Sequence, residues 1–138
     1  MKMQKILVGI DGSEGSYRAA AVAADFAAAV KASVTLIFVA TGQEAERYMA
    51  KPTYVSADEV FSGERLVRGK EIVEERGVPL ETVVEMGDPA EKILERAGEG
   101  YGLIVVGTRG LSAVRELILG SVTSRVIRSS TVPVMVVP

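Results

Sequence analysis

LIVVGTRGLSAVRELILGSVT, residues 103–123, opens on an apolar run, breaks at Gly107 and resumes regular character at Gly120-Ser121. Leu103 to Val106 is short, β-branched-rich and bounded by glycine, as a buried strand is. A helix is expected to begin near Gly120-Ser121 and to bury Val122, Val126 and Ile127. A strand that ends on a glycine loop and feeds a helix is the repeating unit of an open α/β sheet. Four more runs of strand length lie elsewhere: ILVGI at 6–10, VTLIFV at 34–39, LETVV at 80–84 and VPVMVV at 132–137.

Helical segments separate these runs. The first, Ala-rich, is expected from Ser16 to Lys31. The second is expected from Ala57 to Arg76, with Ser62, Leu66, Gly69 and Val73 at helical spacing and Gly77 as its stop. The third has Asp88 as N-cap, Pro89 in first position and Glu91 in third, followed by Ala90, Ile93, Leu94 and Ala97 on one face. Strand–helix alternation implies a parallel sheet covered on both sides. Runs one, two and four are nearly continuous in apolar residues, as central strands are. Run three is half polar and run five carries Pro133, both features of edges. The order 3-2-1-4-5 fits, which is the flavodoxin-like doubly wound arrangement, as one domain over residues 1–138. Residues 41–56 form the longest irregular stretch, either a lid or a plain surface connection.

Composition narrows the chemistry. The chain has 138 residues, 48% hydrophobic and 25% charged, with a formal net charge of −2. That balance supplies no general footprint for nucleic acid or an anionic membrane. It contains no Cys and no His, so thiolate zinc sites, disulfides and Ser–His or Cys–His nucleophile schemes are excluded. No apolar run reaches the roughly 18 residues of a transmembrane helix, and Ile6 to Ile10 is too short for a signal-peptide core. A cytoplasmic location is expected.

Ligands of a doubly wound sheet bind beyond the carboxyl ends of the strands where the order reverses, here between strands one and four. Strand four is followed by Gly107, then Gly110, and after nine further residues by Gly120-Ser121. Glycine lets backbone amides approach an anion, and the start of a helix adds free N–H groups and the positive dipole end. Ser121 and Thr123 bring hydroxyls. The segment is either a phosphate cradle or a set of turn, loop and helix-entry glycines. Asp11, at the mouth of strand one, is suited to a ribose hydroxyl or a phosphate-bound Mg²⁺. The same Asp11-Gly12-Ser13 also suits a turn into a helix cap.

ILVGIDGSEGS, GDPAEKIL, LIVVGTRG, LGSVTSRVI and PVMVV together resemble the universal stress protein family over essentially the whole chain, most weakly through residues 41–75. The resemblance implies ATP binding, since the ATP-binding members carry this glycine spacing. It implies phosphate contacts from Gly110, Gly120, Ser121, Val122 and Thr123, largely through backbone amides. Val106 and Gly107 would lie near sugar and base, Gly9, Ile10 and Asp11 would form the opposite wall, and the Val39 backbone would read the adenine edge. Two positions depart from the common pattern, Arg109 and Phe38, each often His in relatives. Arg109 either pairs with terminal phosphates or stays solvated.

The loop lacks the Gly-Lys-[Ser/Thr] ending of a P-loop, and no carboxylate pair stands ready to hold two metals. A nucleotide-responsive binding module, with ATP and Mg²⁺ as ligands and an unknown downstream partner, is therefore favoured over an efficient ATPase. An adenylating enzyme of the adenine-nucleotide α-hydrolase architecture and an electron-transfer flavoprotein module are the alternatives. ADP, AMP and cyclic AMP would suit the same crevice. Strand five, residues 132–137, is apolar, uncharged and at the sheet edge, so a homodimer through that strand is expected.

Overall fold

Along the first strand, successive side chains point to opposite layers. Ile6, Val8 and Ile10 enter one core with Ala19, Ala20, Ala23, Ala24 and Ala27, whereas Leu7 enters a second with Ile93, Ala97 and Val126. The sheet therefore separates two helical layers. The computed structural model describes residues 4–42, 63–108 and 119–138. Its strands are β1 (Lys5–Gly9), β2 (Ser33–Ala40), β3 (Leu80–Met86), β4 (Leu103–Gly107) and β5 (Val134–Val137). All pairings are parallel and the order is β3-β2-β1-β4-β5, as the sequence implied.

Helix α1 (Glu14–Val30) is capped by Ser13, whose Oγ accepts from the Ser16 N–H at 3.1 Å. The helix thus starts earlier than the expected Ser16, because Ser13 supplies the cap. The Ser16 hydroxyl instead donates back to the Ser13 carbonyl at 2.8 Å. Beyond its first turn the inner face of the helix is alanine at 19, 20, 23, 24 and 27, which lets it lie close on the sheet. Lys31, in the left-handed region at φ 60, closes it through an N–H bond to Ala27 O.

Helix α2 (Gly63–Glu74) joins α1 on the same side, with Leu66, Gly69 and Val73 inward. It ends two residues before the expected Arg76, which lies in the turn to Gly77. Ala57, Ser62 and loop 41–56 beyond Gly42 lie outside the described residues.

The opposite side is covered by α3 (Pro89–Ala97) and α4 (Ser121–Ser129). Asp88 caps α3 as expected, its Oδ2 accepting from Glu91 N–H at 2.9 Å. Two details differ from expectation. Ile127 is not buried but 42% exposed. It sits about 100° around the helix from Val126, at the margin of the inward stripe. The β5 ladder begins at Val134, not Val132, because Pro133 has no N–H to donate. Its carbonyl still accepts from Ile104 N–H at 3.0 Å.

Candidate functional site

The carboxyl ends of β1 and β4 meet at the reversal of strand order, and α1 and α4 both begin there. A Cβ on Gly107 would fall 2.9 Å from the Gly15 carbonyl carbon and oxygen. The first turn of α1 is thus in backbone contact with the end of β4, and helix–strand packing alone accounts for glycine at 107.

Gly120 is different. It is the N-cap of α4, with φ −62 and ψ 158, a conformation open to any residue. Among the described residues no side chain caps this helix. The α1 and α3 caps, by contrast, each carry a side-chain acceptor. The first N–H groups of a helix have no intrahelical partner, so the start of α4 offers donors and a positive dipole end at the strand ends.

Thr108 and Gly120 tie the end of β4 to the start of α4. Thr108 N–H donates to Val137 O at 3.0 Å, and Gly120 N–H donates to Thr108 O at 2.8 Å. The buried Thr123 hydroxyl donates to Gly107 O at 2.7 Å. That hydroxyl proton ties α4 to β4, leaving the backbone amide of Thr123 as its donor toward a ligand. Ser121 is exposed, and Val122 is half-buried against the α3–α4 core.

On the other wall, Ile10 N–H donates to Ile37 O at 2.9 Å and the Ile10 side chain is in the core. Val106 is likewise buried by its side chain. Neither residue can meet a ligand except through its backbone. Gly9 has no room to spare: a Cβ there would lie 3.2 Å from Ile93 Cδ1. Val39, half-buried, packs against the α3–α4 core near the end of β2. Asp11 forms the turn that its sequence context suggested, Oδ1 accepting from Ser13 N–H at 2.9 Å. Its Oδ2 makes no hydrogen bond to the described residues. Arg109 and Gly110 lie outside the described residues.

Arg65 was not singled out by its sequence context, yet it enters the same rim. A Cβ on Gly12 (φ +91) would come within 2.9 Å of Arg65 Cγ and Cδ. Its guanidinium carbon stands 5.6 Å from the Phe38 ring centre. Residues 12, 38 and 65 are on three different elements, so no local spacing could have revealed the contact. Beside it, burial raises the Tyr17 hydroxyl above its ordinary pKa of 10.0, opposed by the charges of Arg68 and Arg65.

Among the described residues no group of three or more carboxylates is placed to hold a metal. A shallow groove of about 560 Å³, lined by Gln4, Ala28, Lys31, Ser33, Val78 and Pro79, lies at the opposite, amino edge of the sheet. No helix among the described residues is long and apolar enough to cross a membrane.

Comparison with known proteins identifies the family and the fold. The profile of the universal stress protein family matches residues 2–138. Universal stress protein YxiE of Bacillus subtilis is 38% identical over 146 aligned positions, covering 96% of this chain and 97% of that protein. A universal stress protein of Thermus aquaticus is 38% identical over 138 positions, covering 96% of both chains. Among solved structures, a universal stress protein in complex with cAMP superposes with a TM-score of 0.74 at 29% identity, covering 99% of this chain and 98% of the other. The protein MJ0577 gives a TM-score of 0.76 at 28% identity, covering 99% and 96%.

Proposed function

Because this chain belongs to the universal stress protein family, we propose that it binds ATP at the carboxyl edge of β1 and β4 and acts as a nucleotide-responsive module rather than an efficient catalyst. The observation that carries this is the start of α4 behind Gly120, which no side chain among the described residues caps, at the point of strand reversal. Every other helix whose cap is described already spends a side chain on its first amides. Phosphates are the natural acceptors for such a terminus.

In this proposal Gly110, Gly120, Ser121, Val122 and Thr123 hold the phosphates through backbone amides. Gly107 and Val106 border the sugar, Gly9, Ile10 and Asp11 form the facing wall, and the Val39 backbone reads the adenine edge. Arg109 adds a cation near the terminal phosphates. A solved relative at 29% identity binds cAMP, which supports an adenine nucleotide as the class of ligand. Mg²⁺ fits as an ion shared between the phosphates and one carboxylate oxygen of Asp11, the mode Mg²⁺ commonly takes. It would neutralise phosphate charge there. The whole of residues 1–138 forms one such domain in the cytoplasm, working with a protein partner and with neither nucleic acid nor membrane.

Two chains would pair through β5. This strand closes the sheet in the order β3-β2-β1-β4-β5, and residues 132–137 contain no charge to protect an open edge. Isologous pairing would satisfy both edges at once.

Native mass spectrometry of freshly purified protein tests the ligand class. Each chain should retain one adenine nucleotide, or take one up from millimolar ATP. A chain that stays unliganded under both conditions, or that carries a flavin, would overturn the assignment.

A further inference from the structure

The Arg65 side chain runs across the turn that holds Asp11. The contact with Gly12 involves its stem, with Cγ and Cδ at 2.9 Å and Nε at 3.2 Å from the position of a Cβ. Its backbone is fixed as well, since the Arg65 carbonyl accepts from the Tyr17 hydroxyl at 3.2 Å. Tyr17 in turn lies under the Arg68 guanidinium at 4.4 Å, and Arg68 pairs with Glu14 at 3.0 Å. The head of Arg65, near Phe38, therefore stands over the ends of β1 and β2, on the α1–α2 side of the sheet.

We propose that Arg65 is a specificity residue of the adenine site, packing its guanidinium plane against the base-and-ribose half of the nucleotide. This rests on the nucleotide site proposed above. Two placements favour that half over the phosphates. The guanidinium stands beside Phe38, the chain neighbour of Val39, whose backbone is assigned to the adenine edge. The phosphate-binding helix α4 lies on the other face of the sheet, beside β4 and β5. A guanidinium is planar, delocalised and weakly hydrated, so it stacks on base faces in a way an ammonium cannot. Its charge adds attraction to the ring face.

Calorimetric titration of the wild type, Arg65→Gln and Arg65→Lys with adenosine, AMP and Mg·ATP tests this, with circular dichroism as the check on folding. Arg65→Gln should weaken all three ligands by a similar factor, roughly five- to thirty-fold. Arg65→Lys, which keeps the stem over Gly12 and the charge but loses the plane, should recover less than half of that loss on a logarithmic scale. Unchanged affinity in either folded variant would overturn the proposal. So would a loss that spares adenosine and grows with each added phosphate, since it would put Arg65 at the phosphates. A wild type that binds none of the three would instead overturn the nucleotide site itself, and this role with it.

Discussion

A methyl group at residue 107 would lie 2.9 Å from the Gly15 carbonyl, a distance that backbone atoms cannot absorb without moving. Gly107→Ala should therefore destabilise the protein by about 1–3 kcal/mol, as overpacking does, and urea denaturation would measure it. A variant as stable as the wild type would mean that α1 is not seated on β4 as described. Tyr17 makes a second residue-level prediction. Burial is the main reason that its hydroxyl titrates above 10.0 in the fold, so the folded state holds this proton more tightly than the unfolded state. The associated stability is fully present below pH ~10 and is lost as pH rises through the folded value. Urea midpoints measured from pH 8 to 11 should fall more steeply for the wild type than for Tyr17→Phe. Equal slopes would show that Tyr17 is not desolvated.

The elements that were legible in the sequence were those written locally. Apolar runs marked the strands, Asp88-Pro89 marked the start of α3, and Pro133 with the half-polar Leu80–Glu85 marked the two edges. Gly107 and Gly120 were legible as glycines but not in their separate roles. Only the fold brings Gly15 against one and leaves the other as a bare cap. The Thr123 hydroxyl bond to Gly107 O joins residues whose proximity depends on the whole β4–α4 crossover, and Arg65 meets Gly12 and Phe38 only through tertiary packing. Ile127 escaped for the same reason, since helical spacing does not say where the sheet ends. Its exposure, on the helix that packs against β5, continues the apolar character of that edge. The element-level prediction follows from the edge: Val136→Lys should shift a strand-paired dimer toward monomer, seen by light scattering at micromolar concentration. A wild type that is monomeric at high micromolar concentration would contradict the β5 interface.

At the scale of the whole molecule, the three layers fix the strand ends and leave the chemistry to the turns beyond them. With no His, no P-loop lysine and no described cluster of three carboxylates, ATP turnover should fall far below the roughly 10 per second typical of enzymes. A purified sample near that rate, with activity lost in Asp11→Asn, would mark the protein as a catalyst. The central claim is that the bare amino end of α4 holds the phosphates of one adenine nucleotide. Gly120 sits there at φ −62, ψ 158, so a larger residue fits the backbone while filling the space in front of the amides. The decisive measurement is calorimetric titration of Gly120→Val with Mg·ATP beside the wild type. The wild type should bind one nucleotide per chain, and the variant, folded by circular dichroism, should bind none. A folded Gly120→Val protein with wild-type affinity would contradict the site.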